Sequence, residues 1–251
     1  MKTCLTEVEL QVKKEKPNIV FSEKCASDYD NQREKLAPIK DALHLCIRIL
    51  FSDLPTDSRV LIVGAGTGSE LIDLANAFPL WSFTVVEPAS AMLDVCRQRA
   101  EKNGISSRCT YHEGYLDSLA VSQGFDVATS ILVSHFIVNQ DERRQYFSEI
   151  ASRLNPGGYL VEAGLASDMS TPEYNKLLEV WVNMHNYAGM PVNINAFGNK
   201  VAMLPVDEVE SLIKLAGFEA PVLFFQTLLI CAWFTTVSEK DKSPKQKNVN
   251  S

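Results

Sequence analysis

Val60-Leu-Ile-Val-Gly-Ala-Gly-Thr-Gly-Ser-Glu70 decides how this chain folds. Four apolar, mostly β-branched residues lead straight into Gly64, Gly66 and Gly68, and a helix-like segment from Ser69 to Phe78 follows at once. In order, these read as a buried parallel strand, a tight glycine turn and a helix start. Glycines at such a turn let backbone N–H groups come close to whatever lies over the strand ends. The spacing separates the candidate ligands. A dinucleotide fingerprint, G-x-G-x-x-G, would need its third glycine where Ser69 stands. A phosphate-cradling G-x-x-x-x-G-K-[ST] loop needs a lysine that this turn lacks. The helix start therefore suits a carboxylate or a sugar edge better than a pyrophosphate.

Outward from the turn, strand and helix signals alternate. Strands are expected at Arg59 to Val63, Ser82 to Val86, Arg108 to His112, Phe125 to Ile131 and Tyr159 to Ala163. Helices are expected from Ile39 to Phe51, Ser69 to Phe78, Ala89 to Asn103 and Gln140 to Leu154. Asn103-Gly104 and Asn155-Pro-Gly-Gly158 supply helix stops. The rhythm predicts an α/β fold, a doubly wound and mostly parallel sheet. It breaks at Met169 to Met203, where a helix from Pro172 to Tyr187 is followed by an Asn-, Gly- and Pro-rich loop. A helix from Val206 to Ala216 restores it. Two apolar strands, Pro221 to Phe225 and Leu228 to Thr235, are close enough to pair antiparallel at a sheet edge. They bring the sheet to seven strands, with helices on both faces.

Bulk properties bound the function. A chain of 251 residues is long enough for one well-buried α/β domain. The formal charge of −7 disfavours a large nucleic-acid or anionic-membrane surface. No apolar run approaches the roughly 20 residues that span a bilayer. The charged start, Met1 to Pro17, has no hydrophobic secretory region. The six cysteines are scattered without a C-x-x-C pair, which predicts reduced thiols, a cytoplasmic location and no metal site. Polar ends suggest flexible arms at 1–20 and 238–251, around one domain at 21–237 with a helical lead-in (21–55) and an insertion (168–204).

Two further positions stand out. Glu87 ends the second strand about 20 residues past the turn, where an acid can accept from both hydroxyls of a ribose. Tyr29 and Arg33 share one face of a helix at i and i+4, and by spacing alone read as a solvated face with an incidental aromatic.

Taken together, Val60 to Glu70, Glu87, Phe125-Asp-Val-Ala-Thr-Ser130 and Leu154-Asn-Pro-Gly-Gly-Tyr-Leu160 resemble the class I S-adenosylmethionine-dependent methyltransferases of small-molecule type. The resemblance covers about Phe21 to Thr236 and includes the final hairpin. It implies that S-adenosyl-L-methionine is the cofactor and S-adenosyl-L-homocysteine the product. Gly64, Ala65 and Gly66 would line the methionine part, Glu87 would hold the ribose, and Pro88, Ala91 and Met92 would flank the adenine. Ser130 and Ile131 would face the amino group and the donor methyl. Tyr29-Asp-Asn-Gln-Arg33 is similar to the family's lead-in helix, in which the tyrosine and arginine close over the cofactor. One departure follows strand three. The usual Gly-Asp is replaced by Glu113-Gly114-Tyr115, so that Tyr115 would cap the adenine or Glu113 would reach it.

Methyl transfer depends mostly on proximity and needs a base only for a protonated acceptor. His135 lies just after strand four, where it reads either as a general base or as a packing histidine; His185, in the insertion, is the lesser candidate. The insertion offers Trp181, Met184, His185, Tyr187, Met190 and Phe197, which is either a wall for a small, partly apolar acceptor or a helical cap or dimer surface. The oligomer could be a monomer or a homodimer. Besides a nicotinamide dehydrogenase, disfavoured by Ser69, two other readings compete. One is a carboxy-S-adenosylmethionine synthase-like enzyme, disfavoured because no arginine follows Arg153. The other is a catalytically silent cofactor-binding scaffold subunit.

Overall fold

Strand β1, Arg59–Val63, lies in the interior of the sheet. It pairs in parallel with β2 (Ser82–Glu87) on one side and β4 (Phe125–Ile131) on the other. In the computed structural model, which describes residues 33–120, 124–190 and 192–238, β1 is buried on both faces. Val60 and Ile62 pack with one core cluster, Leu61 and Val63 with the other. This is the physical reason for the unbroken apolar run: a strand covered on both sides has no polar face. Each such side chain contributes about 1.5–3 kcal/mol by leaving water.

With β3 (Cys109–Glu113), β5 (Leu154–Leu165), β6 (Val222–Thr227) and β7 (Ile230–Thr236), the sheet order is β3-β2-β1-β4-β5-β7-β6. β7 runs antiparallel between β5 and β6, so the expected hairpin is present. Strand order reverses between β1 and β4, and ligands of open α/β sheets bind in the crevice at the carboxyl ends of such a pair.

Helices α1 (Ala37–Leu50), α2 (Ser69–Ala77) and α3 (Ser90–Lys102) place Leu43, Ile47, Leu71, Leu74, Leu93 and Cys96 against one face of the sheet. Helices α4 (Gln140–Arg153) and α6 (Val206–Leu215) place Phe147, Ile150, Val209, Leu212 and Ile213 against the other. Helix α5 (Pro172–Ala188) belongs to neither layer. Its Tyr174 and Trp181 pack with Phe197 and Met203 against Leu165, Leu229 and Ile230. Those last residues sit where β5 ends and β7 begins, so the insertion covers the carboxyl edge of the sheet.

The expected elements are present, and their ends fall within two residues of expectation apart from the start of β5. β2 runs one residue further, so Glu87 is its last paired residue, opposite Glu113. β5 begins five residues earlier than the expected Tyr159. Asn155-Pro-Gly-Gly158 ends α4 as expected, but the chain is already extended at Leu154, which pairs with Phe125 before a register shift. β5 also continues to Leu165. The lead-in before Arg33, including Tyr29, lies outside the described residues, as do 239–251. No helix among the described residues is long and apolar enough to cross a membrane.

Candidate cofactor and acceptor site

The three glycines of the turn have positive φ, at 76°, 54° and 80° for Gly64, Gly66 and Gly68. Their surroundings divide the work among them. A Cβ on Gly64 would collide with Val133 Cγ2, and one on Gly68 would lie 2.6 Å from Cys96 Sγ. Gly64 thus admits the loop after β4, and Gly68 admits α3. A Cβ on Gly66 would meet nothing within 4 Å. Gly66 is the face of the turn open to a ligand, and its lack of a side chain lets that ligand reach the backbone.

Glu87 is buried, 7% exposed, and its carboxylate is fixed across this turn. Oε2 accepts from the Gly66 N–H and Oε1 from the Ala89 N–H, both at 2.9 Å. Burial raises its pKa, opposed by the Ala89 and then the Gly66 N–H. Each oxygen retains lone-pair capacity for a further donor, as an acid receiving the two hydroxyls of a ribose requires. Gly114 N–H donates to the Glu87 carbonyl at 3.2 Å, which sets Gly114 and Tyr115 beside the same strand end. Tyr115 is half-buried; burial, followed by the nearby Glu87 and Asp117 charges, pushes its pKa up. Glu113 is half-exposed, 4.0 Å from Arg97. Pro88 is half-buried, and Met92 is buried with Ala89 beside Ala91. Gly64, Ala65, Gly66, Glu87, Pro88, Gly114 and Tyr115 are therefore contiguous around one strand edge. They can bind an adenosine-type ligand, and the donor set offers no metal. Among the described residues no cluster of three or more His, Cys, Asp or Glu is placed to hold one.

Ser130 pairs with Val63 at the end of β4, so it borders the glycine turn directly. Ser130 is fully buried and Ile131 partly so. Leu132 follows with φ 60°, a left-handed conformation uncommon for a leucine, and Val133 lies on Gly64. His135 is 4% exposed, and burial first, then the Arg143 charge, lowers its pKa to about 3. Its Nδ1 has no hydrogen-bond partner among the described residues.

Arg33, half-buried, sits on the α5 side: its charge acts on His185. Next to it, Lys35 Nζ donates to the Tyr187 carbonyl at 3.0 Å and stands 5.2 Å from the Tyr187 ring centre. The lead-in segment and the insertion are thus joined. His185 Nδ1 lies 2.9 Å from the Trp181 carbonyl. A carbonyl only accepts, so Nδ1 carries the hydrogen and Nε2 is the acceptor nitrogen.

A cluster of polar residues also lies at this edge and was not singled out by spacing: buried Ser134, Arg143 and Glu162 with half-buried Tyr146 behind β4, and buried Glu70 at the start of α2. The signal for Glu162 was a lone carboxylate inside an apolar strand.

Residues 60–158 match the family model of a methyltransferase domain. The bifunctional biotin-biosynthesis protein BioHC of Teredinibacter turnerae is 26% identical over 183 residues, 68% of this chain and 29% of that protein. The chain thus spans under a third of that relative's length. The carboxy-S-adenosyl-L-methionine synthase of Campylobacter lari is 23% identical over 207 residues, 79% of this chain and 86% of that protein. The structure of an O-methyltransferase family protein from Burkholderia thailandensis superposes with a TM-score of 0.61 at 14% identity. It covers 87% of this chain and 61% of that one, a likeness of fold. With its glycine turn, its strand-end acid and its reversed final hairpin around this matched methyltransferase domain, the chain is similar to the class I S-adenosylmethionine-dependent methyltransferases.

Proposed function

We propose that this chain transfers the methyl group of S-adenosyl-L-methionine to a small, partly apolar acceptor held beneath α5. The observation that carries this reading is the Glu87 carboxylate, pinned by the Gly66 and Ala89 N–H groups beside an open Gly66. An acid held there is preorganised for the ribose hydroxyls. The cofactor supplies an electrophilic methyl on a sulfonium. Gly64 to Gly66 would receive its methionine part, Arg33 with Tyr29 its carboxylate, Pro88, Met92, Gly114 and Tyr115 its adenine, and Ser130 and Ile131 its amino group and methyl. An Arg–carboxylate contact is of the strong, bidentate kind.

The acceptor side is read from Trp181, Phe197 and Met203, which pack with the β6–β7 turn, and from His185, whose ring lies against Trp181. Leu228 in that turn has φ 51°, the second left-handed leucine at the same edge of the sheet. An apolar wall with His185 Nε2 as its polar contact fits a small molecule with one hydrogen-bonding group. His135 is not given the role of base here. An imidazole with a pKa near 3 accepts a proton poorly at neutral pH, so orientation carries the rate.

The likeness to a carboxy-S-adenosylmethionine synthase favours a second reading, a cofactor-modifying enzyme. Such an enzyme must hold an extra carboxylate, and after Arg153 the chain has lysines but no arginine. Incubation with cofactor carrying a labelled methyl, over a panel of small phenols, amines and carboxylic acids, separates the two. Label on an acceptor together with S-adenosyl-L-homocysteine supports methyl transfer. A heavier, carboxylated cofactor with no labelled acceptor overturns it.

A further inference from the structure

Glu162 on β5 is fully buried, and two serines from either end of one loop converge on it. Its Oε1 accepts from Ser134 Oγ, and Ser130 hydrogen-bonds the same carboxylate. Each serine is held in turn by α4. Tyr146 Oη donates to Ser130 Oγ, and Arg143 Nη2 donates to Ser134 Oγ, both at 2.8 Å. Gly164, two residues on from Glu162, leaves room for this meeting: a Cβ there would lie 3.3 Å from Glu162 Oε1 and 3.5 Å from Ser134 Oγ.

The three residues bracketed by the serines are Ile131, Leu132 and Val133. Leu132 holds its left-handed backbone while its N–H donates to the Ala163 carbonyl at 2.6 Å. Val133 fills the space that a side chain on Gly64 would need. A strained conformation persists only where the surroundings over-determine it, and here the surroundings are Glu162 and its two serines.

Stability does not explain the cluster. Arg143 Nε and Nη1 and Glu162 Oε2 have no hydrogen-bond partner among the described residues, though both side chains are fully buried. A buried ionic cluster left partly unsatisfied is less stabilising than apolar packing of the same volume. What it provides is a fixed position for the loop that lies on the glycine turn.

We infer that Glu162 is a positioning residue that acts through Ser130 and Ser134 to hold Leu132 and Val133 on Gly64, and so keeps the glycine turn in its cofactor-binding shape. The inference rests on the cofactor reading above. It extends that reading to Glu162 and Ser134, which are assigned no contact with the cofactor.

The test uses the full chain as wild type and as Ser134→Ala, Ser134→Thr and Glu162→Gln. Ile105→Ala serves as a core truncation at the opposite edge, near the start of β3. Two quantities are measured, amide hydrogen exchange of residues 131–135 and calorimetric affinity for S-adenosyl-L-homocysteine. Loss of one charged-group hydrogen bond predicts that in Ser134→Ala residues 131–135 exchange roughly tenfold faster and S-adenosyl-L-homocysteine binds roughly tenfold more weakly. Glu162→Gln should follow it. Ser134→Thr, which keeps the hydroxyl, should restore both, and Ile105→Ala should lower the melting temperature and leave both unchanged. Wild-type exchange and affinity in Ser134→Ala and Glu162→Gln would overturn the inference, as would an equal loss of affinity in Ile105→Ala. Wild type that fails to bind would overturn the cofactor reading itself, and this inference with it.

Discussion

At the scale of single residues, the site is a set of buried acids held by backbone and hydroxyl groups. Glu87 is tied to Gly66 and Ala89, Glu162 to two serines, and Glu70 stands at the start of α2. Glu70 is 8% exposed, and its Oε1 has no partner among the described residues. Burial raises its pKa from 4.5 to about 7; the Thr129 hydroxyl opposes this, and the Asp73 charge adds to it. The folded chain therefore holds this proton more tightly than the unfolded chain does. Its contribution to stability is complete below about pH 4.5 and is lost as pH rises to about 7. Replacing the carboxyl with a group that does not titrate removes that loss. Glu70→Gln should gain on wild type by roughly 3 kcal/mol across this window and run parallel to it above. Denaturant unfolding at several pH values from 5 to 8 checks this; a constant difference between the two would refute it. Little of this polar layer was legible beforehand. Arg143 lies in Asp141-Glu-Arg-Arg144, where two adjacent arginines look alike, and only the packing of α4 on the sheet makes Arg143 fully buried and leaves Arg144 exposed. Glu87 was legible because a strand end beside a glycine turn has a defined place in space.

At the scale of elements, the two edges of the sheet have different duties. The carboxyl edge carries the glycine turn, the two left-handed leucines and the cover formed by α5. The amino edge is tied by Asp126, whose Oδ2 accepts from Arg59 N–H at 2.9 Å and whose Oδ1 accepts from Asn155 Nδ2 at 2.7 Å. One carboxylate thus joins β1, β4 and β5 at their starts. Asp126→Ala should lower unfolding free energy by roughly 1.5–3 kcal/mol, the scale of a lost hydrogen bond to a charged group. It should leave affinity for S-adenosyl-L-homocysteine unchanged. A variant that keeps its melting temperature, or that loses affinity while folded, would contradict this division. The alternation of strand and helix was readable because each period in the sequence matches one buried face. The early start of β5 was not: Asn155-Pro-Gly-Gly158 reads as a stop, and its pairing with β4 depends on Phe125 lying opposite Leu154.

At the scale of the whole molecule, the parallel strands bring together groups that are far apart in the chain. The turn at 64–68, the acid at 87, the pair Gly114 and Tyr115, and the end of β4 meet at one crevice, where the strand order reverses. Arg33 and Lys35 reach the insertion from the other end of the chain, so the segment before α1 and helix α5 share a boundary. The resemblance in sequence pointed to this crevice because the groups it assigned there are mostly backbone and one acid, which strand ends place in space. The packing of the insertion, proposed above to cover an acceptor, rests on side chains such as Tyr174 and Trp181 that follow no period readable in advance. The most direct measurement is a calorimetric titration of wild type and Glu87→Ala with S-adenosyl-L-homocysteine. The prediction is saturable one-site binding to wild type, weakened by about 1–3 kcal/mol in Glu87→Ala. No binding to wild type, or equal affinity in the two proteins, would contradict it.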